Sequence, residues 1–283
     1  LCQLPRYAAV SEARQEMTVR WQAEAIWEAV APVLPAFSVE ILPEIDSTNT
    51  ELMRRARAGQ LEPVLLVAER QSAGRGRLGR TWASGEATGT PPGGALPSLT
   101  FSLGLTLAPV DWSGLSLAVG LSVVESLHPE LKLKWPNDVW LHDRKLAGIL
   151  IETASVGELR YAVIGVGINI LPRDSQGLST VPAALSELLP GVDAPATLAR
   201  VAAPLVHAIR QFETQGFAPL RTAFHARDQL YGREVVCSDG VSGMARGVDA
   251  AGALLLHTEA GLKKITSAEV SVRPVPHPSA NQP

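Results

Sequence analysis

Glycine and arginine alternate in one short segment, Gly74-Arg-Gly-Arg-Leu-Gly-Arg80. Closely spaced glycines expose backbone N–H groups, and arginine side chains donate fixed pairs of hydrogen bonds to oxyanions. The glycine spacing also matches a dinucleotide-binding turn, but arginines fill the gaps and no apolar helix follows, which disfavours that interpretation. The segment therefore predicts a phosphate-binding loop, and the alternative is a surface loop with solvated arginines.

A second cluster is Lys132-Leu-Lys-Trp-Pro-Asn-Asp138. The alternation before Trp135 predicts a strand with both lysines on one face, and the turn after it brings Asn137 and Asp138 back towards them. A fixed cation beside an amide and a carboxylate can hold a carboxylate that reacts with a phosphate, or a Mg²⁺-nucleotide. The alternative is an exposed strand that ends in a tight turn.

A third polar segment is Ser47-Thr-Asn-Thr-Glu51. Thr48 and Glu51 fit a capping box, which predicts a helix that runs to about Ala58 and ends at Gly59. The hydroxyl and amide groups at such a helix N-terminus can also bind a polar ligand. Both interpretations remain open, because a cap does not exclude a binding role.

These segments alternate with predicted strands and helices. Gly165 and Gly167 lie inside one strand, where glycine often marks the close approach of a ligand. After Gly232 the pattern changes to short strands separated by Asp-Gly and Ala-Gly turns, which predicts a small β barrel. Strands are predicted at 39–42, 64–68, 99–107, 139–141, 147–152, 161–170, 234–237, 244–248, 253–257 and 269–273, and helices within 1–37, at 48–58, at 113–127 and over most of 181–231.

Composition limits the classes of function. The chain of 283 residues is 46% hydrophobic and 19% charged, which argues against disorder, and its formal net charge of −3 provides no basic field for nucleic acid. No unbroken apolar stretch reaches the roughly 18 residues of a membrane span, and no signal peptide is recognisable. The two cysteines make neither a disulfide framework nor a zinc site. We therefore expect a cytoplasmic protein that does not contact a membrane.

The polar segments occur together and in order, with further motifs between and after them. In this combination the chain resembles the biotin protein ligase family, also called biotin–[acetyl-CoA-carboxylase] ligase, over residues 46–273. The matching segments are Asp46-Ser-Thr-Asn49, Gln71-Ser-Ala-Gly-Arg-Gly-Arg-Leu-Gly-Arg80, Lys134-Trp-Pro-Asn-Asp138, Arg144-Lys-Leu-Ala-Gly-Ile-Leu-Ile-Glu152, Gly165-Val-Gly-Ile-Asn169 and Glu269-Val-Ser-Val-Arg273.

The resemblance implies an α+β fold, in which a mixed sheet with flanking helices, related to class II aminoacyl-tRNA synthetases, precedes a C-terminal SH3-like β barrel. The expected domains are a catalytic domain at 1–231 that begins with a lead and helix at 1–37, the barrel at 232–275 and a disordered tail at 276–283. The implied activity is ATP-dependent attachment of biotin to a lysine of a biotin carboxyl carrier protein, a subunit of acetyl-CoA carboxylase, through biotinyl-5′-AMP. ATP, biotin and Mg²⁺ are the implied small molecules.

The resemblance also implies roles for single residues. Lys134, Arg75 and Arg77 are the expected catalytic residues, and Asp138 is a candidate contact for the Mg²⁺ that accompanies ATP, with no other metal ligand expected from the protein. The expected biotin contacts are Ser47, Thr48, Asn49, Gln71, Gly74, Arg75, Gly76, Arg77, Lys134 and Gly148. The expected ATP contacts are Arg75, Arg77, Arg80, Trp82, Asn137, Asn169, Glu269 and Arg273.

Two features depart from many bacterial relatives. Only 45 residues precede Asp46 and they contain no convincing DNA-binding module, so we expect no DNA binding. A Pro/Gly-rich insertion at 85–97 directly follows the arginine segment. The alternatives are a lipoate or octanoate protein ligase, which shares the catalytic fold, and a bifunctional biotin-responsive repressor if a DNA-binding segment precedes Leu1. We expect a monomer or a homodimer.

Overall fold

The computed structural model describes residues 19–84, 95–173, 181–266 and 272–275. Most of the N-terminal lead, the insertion between 85 and 94, Glu269 and the predicted tail at 276–283 lie outside the described residues. Within the described ranges, no helix is long and apolar enough to cross a lipid bilayer.

Most of the predicted elements are present. The described α-helices are α1 (Ala23–Val30), α2 (Thr48–Arg57), α3 (Leu115–Leu127), α4 (Ala194–Gln215) and α5 (Arg221–Arg227). The described strands are β1 (Ser38–Ile45), β2 (Val64–Gln71), β3 (Ser98–Thr106), β4 (Lys132–Lys134), β5 (Asp138–Leu141), β6 (Arg144–Val156), β7 (Leu159–Asn169), β8 (Glu234–Cys237), β9 (Ser242–Val248), β10 (Leu254–Thr258), β11 (Gly261–Ile265) and β12 (Val272–Pro274).

The first seven strands form one mixed sheet in the order β1-β2-β3-β7-β6-β5-β4, in which β1 and β2 are parallel and the other pairs are antiparallel. Helices α3 and α4 pack on one face over the larger apolar core, and α2 packs on the other. Strand β7 contributes apolar side chains to both faces of the sheet. Ile164 and Ile168 lie in the larger core, whereas Tyr161 and Val163 pack beneath α2. The prediction of a mixed sheet with flanking helices is confirmed.

Helix α2 is capped one residue earlier than predicted. Ser47 is its N-cap, and the Ser47 hydroxyl accepts a hydrogen bond from the backbone N–H of Thr50 at 3.4 Å. Glu51 does not close the predicted capping box; its carboxylate instead accepts hydrogen bonds from Arg54 and Arg55. The cap orients Ser47 and the residues after it, so a structural role and a binding role are compatible at this segment.

The last five strands form a second sheet in the order β11-β10-β9-β8-β12. Strand β11 was not predicted, because its adjacent Lys263 and Lys264 break the period-two pattern. No ladder joins β11 to β12 in the described part of the chain, so the predicted barrel is seen there as an open antiparallel sheet. The Trp135 indole donates a hydrogen bond to the Gly252 carbonyl at 3.0 Å, which joins this sheet to the strand that carries Lys134.

Candidate active site

The register of the first sheet aligns a row of polar and small residues on the face covered by α2. Thr100, Gly167, Gly148, Asp138 and Lys134 are successive cross-strand partners on β3, β7, β6, β5 and β4. Residues directly opposite one another in paired strands point to the same face. Motifs that are far apart in the sequence therefore meet in one row, which forms the floor of a pocket.

The two glycines of β7 give space to the protein's own side chains. A Cβ atom at Gly165 would lie 2.1 Å from Oδ1 of Asn49, and one at Gly167 would lie 2.4 Å from the Trp82 ring. The sequence predicts that a ligand approaches the chain closely at these glycines, and both of them line the pocket. They also give Asn49 and Trp82 room to pack against the sheet, and these two residues line the pocket as well.

The predicted biotin-binding segment lies at the N-terminus of α2 and is buried. Ser47, Thr48 and Asn49 are each less than 5% exposed. The backbone N–H and hydroxyl of Thr48 both donate to Oε1 of Gln71, at 2.8 and 3.1 Å. These bonds connect two predicted biotin-contact segments and orient the Gln71 amide at the pocket wall.

Asn49 is held in place by three partners. Its Nδ2 donates to the Leu150 carbonyl at 3.2 Å and to Glu152 Oε2 at 3.0 Å, and its Oδ1 accepts from the Ser102 hydroxyl at 2.6 Å. Its position is therefore set by the sheet before any ligand arrives.

The glycine–arginine segment forms a compact turn. The N–H of Gly76 donates to the Arg80 carbonyl at 2.7 Å, and the N–H of Trp82 donates to the Gly74 carbonyl at 2.9 Å. A Cβ atom at Gly74 would lie 2.2 Å from the Trp82 carbonyl oxygen, so glycine is needed there for the turn itself. The Arg77 guanidinium is directed across the pocket, where it donates to Oδ1 of Asn137 at 3.2 Å.

Two lysines share the carboxylate of Asp138. Lys145 Nζ lies 2.7 Å from Oδ1, and Lys134 Nζ lies 3.9 Å from Oδ2 and 5.2 Å from the centre of the Trp140 ring. Lys134 is only 9% exposed, whereas the Lys145 side chain is 42% exposed. Burial lowers the pKa of Lys134, and the negative charge of Asp138 opposes this effect. Both lysines line the pocket, and Lys145 is the more exposed of the two.

Lys145 was missed as a site residue because of a β-bulge. Val139 pairs with Ala147 but Trp140 pairs with Lys145, so Leu146 is an extra residue in β6. Strict alternation from Gly148 would place Leu146 on the pocket face and Lys145 on the opposite one. The bulge reverses this, and Leu146 is fully buried. The signal available in the sequence was the position of Lys145 within the matching segment at 144–152.

Most of the predicted site residues converge on one pocket. It contains about 880 Å³ of space, part of it open to solvent, and the apolar residues Phe101, Ile149 and Leu150 also line it. The predicted residues that line it are Ser47, Thr48, Asn49, Gln71, Arg75, Gly76, Arg77, Arg80, Trp82, Lys134, Asn137, Asp138 and Gly148. Lys145 and Val272 also line it.

Three predicted residues do not line this pocket. Gly74 shapes the arginine turn, and Arg273 is exposed beside the lining residue Val272. Asn169 is 1% exposed, and its Nδ2 donates to the carbonyls of Lys145 and Ala183 at 3.3 and 3.0 Å. Its Oδ1 is a buried acceptor with no hydrogen-bond partner in the described part of the chain. The predicted role of Glu269 falls outside the described residues.

Among the described residues, the metal-ligating side chains do not cluster. Within the described ranges, no three His, Cys, Asp or Glu side chains are grouped so that they could hold a metal ion. Among the described residues that line the pocket, Asp138 is the one carboxylate, and both of its oxygens face lysines. Mg²⁺ in this pocket would therefore depend on oxygen ligands from its nucleotide.

Residues 41–169 match the Biotin/lipoate A/B protein ligase family, and residues 232–273 match the Biotin protein ligase C terminal domain. The chain is 36% identical over 245 residues to the biotin--[acetyl-CoA-carboxylase] ligase of Paracoccus denitrificans, a match that covers 81% of this chain and 98% of that protein. It is 37% identical over 251 residues to the bifunctional ligase/repressor BirA of Escherichia coli (strain K12), covering 83% of this chain and 74% of that protein.

The fold is similar to that of solved biotin protein ligases. The structure of the biotin protein ligase from Aquifex aeolicus in complex with biotin and ATP superimposes with a TM-score of 0.69 at 30% sequence identity, covering 84% of this chain and 99% of that chain. Both domains match by sequence, and the pocket brings together the motifs on which the resemblance depends. The chain belongs to the biotin protein ligase family.

Proposed function

We propose that this protein attaches biotin to a specific lysine of a biotin carboxyl carrier protein in two steps. In the first step an oxygen of the biotin carboxylate attacks the α-phosphorus of ATP, a mixed anhydride forms and pyrophosphate leaves. In the second step the lysine amine of the carrier attacks the anhydride carbonyl, an amide forms, AMP leaves and the amine loses a proton. Mg²⁺ enters as part of the ATP substrate.

The observation that supports this proposal is the division of one pocket into two chemical ends. Hydroxyl and amide groups of Ser47, Thr48 and Gln71 lie at one end, and they suit the ureido ring of biotin, which both donates and accepts hydrogen bonds. Arg77 and Lys145 lie at the other end, where the carboxylate would meet the triphosphate. A molecule with a neutral polar head, an apolar stem and a carboxylate fits this arrangement.

Cations at the reacting end reduce the repulsion between a carboxylate and a triphosphate. They also stabilise the charge that develops on the pentavalent phosphorus, because they are fixed before the reaction. We assign direct contact with the reacting groups to Lys145 and Arg77. Lys134, the expected catalytic lysine, also lines the pocket, and we assign it to the same end as a buried cation 3.9 Å from Asp138.

We propose that ATP binds on the surface between the arginine turn and β7. Trp82 and Asn169 would contact the base, because Trp82 lines the pocket and Asn169 Oδ1 is a buried acceptor with no partner among the described residues, which suits an exocyclic amine. Arg75 and Arg80 would contact the phosphates, and Arg273 would approach from the second sheet. Burial is the main cause of the lowered pKa of Lys134, and the positive charge of Arg273 makes a smaller contribution in the same direction. Arg273 is therefore near enough to influence this end of the pocket.

We further propose a cytoplasmic location and a carrier protein as the acceptor. A cytoplasmic location suits a reaction that consumes ATP and a chain with two cysteines. The acceptor is proposed to be the biotin carboxyl carrier protein of acetyl-CoA carboxylase, in keeping with the name of the Paracoccus denitrificans relative.

The test is incubation of the protein with ATP, Mg²⁺, a carrier domain and either biotin or lipoate, followed by the intact mass of the carrier. We expect a gain of one biotinyl group that requires ATP, and no gain with lipoate. A matched carrier whose acceptor lysine is replaced by arginine is the control. If the carrier gained a lipoyl group and no biotinyl group, the lipoate ligase alternative would be supported instead. If the carrier gained neither group, the proposed function would be refuted.

A further inference from the structure

One carboxylate connects two pocket segments without lining the pocket. Glu152 lies on β6, where its cross-strand partner is Val163 of β7, on the face covered by α2. Its Oε2 accepts a hydrogen bond from Asn49 at 3.0 Å, and its Oε1 lies 3.1 Å from Nη1 of Arg75. Asn49 and Arg75 both line the pocket, whereas Glu152 does not.

The two partners differ in how firmly they are held. Asn49 is 4% exposed and has further hydrogen bonds to Leu150 and Ser102, so its place is also set by the sheet. The Arg75 side chain is 51% exposed and extends from a turn. An exposed arginine samples many rotamers unless a partner restrains it. Glu152 is well placed to provide that restraint, because its own side chain is only 22% exposed.

The ion pair leaves Arg75 able to bind an anion. A guanidinium group has five N–H donors, and the contact with Glu152 is made through Nη1. The remaining donors can point into the pocket. Holding the guanidinium near its bound position before the ligand arrives reduces the ordering cost of binding.

We propose that Glu152 is a positioning residue, which holds Arg75 over the pocket and ties the arginine turn to Asn49. This inference rests on the proposed function for its ligand, biotinyl-adenylate, but the contact itself exists in the free protein. It makes Glu152 a determinant of how long the adenylate stays bound, although Glu152 does not touch the adenylate.

Two substitutions separate the roles of the carboxylate. Glu152→Gln keeps an oxygen that can accept from Asn49 and removes the charge that faces Arg75. Glu152→Ala removes both contacts. Glu40→Gln is the matched control, because it removes a carboxylate that pairs with Arg55 at 2.9 Å and neither of those residues lines the pocket.

For Glu152→Gln we expect biotinyl-adenylate to dissociate about tenfold faster, which is the usual effect of losing one charge-assisted contact, with biotin affinity and melting temperature close to wild type. For Glu152→Ala we expect weaker biotin binding in addition. In an Arg75→Ala background Glu152→Gln should cause no further change, because the contact has already been removed. A purely structural role would instead lower the melting temperature and give additive losses.

The same variants are compared by hydrogen exchange without any ligand. We expect the amides of residues 74–80 to exchange several-fold faster in Glu152→Gln than in the wild type or in Glu40→Gln. Unchanged exchange at 74–80 in Glu152→Gln would overturn the inference. A wild-type protein that forms no biotinyl-adenylate would overturn the proposed function, and the exchange result would still decide the role of Glu152.

Discussion

A Cβ atom at Gly165 would lie 2.1 Å from Oδ1 of Asn49, inside any allowed contact distance. The Asn49 side chain cannot move away from a Cβ atom at position 165 without losing its hydrogen bonds with Ser102, Leu150 and Glu152. Gly165→Ala is therefore expected to displace Asn49 into the pocket and to weaken biotin binding about 5- to 150-fold, since overpacking of this kind costs about 1–3 kcal/mol. Titration calorimetry with biotin measures the effect.

Gly59→Ala is the control for this substitution. Gly59 has a φ of +85° and open space around its Cβ position, so alanine strains the backbone without touching the pocket. We expect a loss of stability of about 1 kcal/mol and unchanged biotin affinity. If Gly165→Ala also left biotin affinity unchanged, the packing of Asn49 against β7 would not matter for binding.

The two lysines on Asp138 are expected to differ when each is removed. Lys145→Ala should slow adenylate formation by about 10²–10³-fold with little change in stability, because its side chain is half-exposed and lies at the proposed reacting end of the pocket. Lys134→Ala should slow the reaction as well, but it should also destabilise the fold, because Lys134 is buried between Asp138 and Trp140. The measurements are pyrophosphate release and urea unfolding.

Lys132→Ala is the matched control on the same strand. The Lys132 ammonium donates to the Ala226 carbonyl at 3.2 Å and is not among the residues that line the pocket. We expect wild-type rates for this variant. Pyrophosphate release at the wild-type rate in Lys145→Ala would contradict the assignment of that lysine to the reacting end.

Trp82 is expected to report nucleotide binding. Its ring lies against Gly167 and Gly148, and the Arg173 guanidinium lies 5.5 Å from the ring centre. ATP binding should change the emission of Trp82, and Trp82→Phe should remove this change and weaken ATP binding about 2–10-fold, in line with aromatic contacts of about 0.5–1.5 kcal/mol. Trp27→Phe, remote from the pocket, should retain the signal. An identical ATP-induced change in both variants would exclude Trp82 as its source.

Asp228 is expected to make stability depend on pH. Its Oδ1 accepts from the Leu230 N–H at 2.8 Å, and its Oδ2 is buried without a partner among the described residues. Burial raises the pKa of Asp228 from 3.8 to about 6. The folded state therefore prefers the neutral carboxyl, and the contribution of this group to stability falls as the pH rises from about 4 through 6.

Asp228→Asn keeps an oxygen for Leu230 and cannot ionise. We expect it to raise the free energy of unfolding at pH 7.5 by about 1–3 kcal/mol and to have little effect below pH 4. Urea unfolding at several pH values, with Asp239→Asn on an exposed turn as the control, measures this difference. A variant that is less stable than wild type at pH 7.5 would contradict the sign of the effect.

The sequence by itself determined the chemistry of the site and most of the elements. The apolar run at 161–170 predicted β7, and the motifs at 47–49, 71–80 and 134–138 contained most of the residues that line the pocket. These signals are local, because strand periodicity and turn residues depend on neighbours in the chain. The family resemblance added the reaction, and the sequence comparisons agree with it.

Only the tertiary structure decided which residues line the pocket. A bulge at Leu146 turns Lys145 into the pocket, against the alternation of its strand. Gly165 and Gly167 admit Asn49 and Trp82, which come from segments far away in the chain. The pairing of Glu152 with Asn49 and Arg75 likewise depends on three segments that meet only in the folded sheet. Such contacts are set by strand register and packing across the sheet, and no local pattern encodes either.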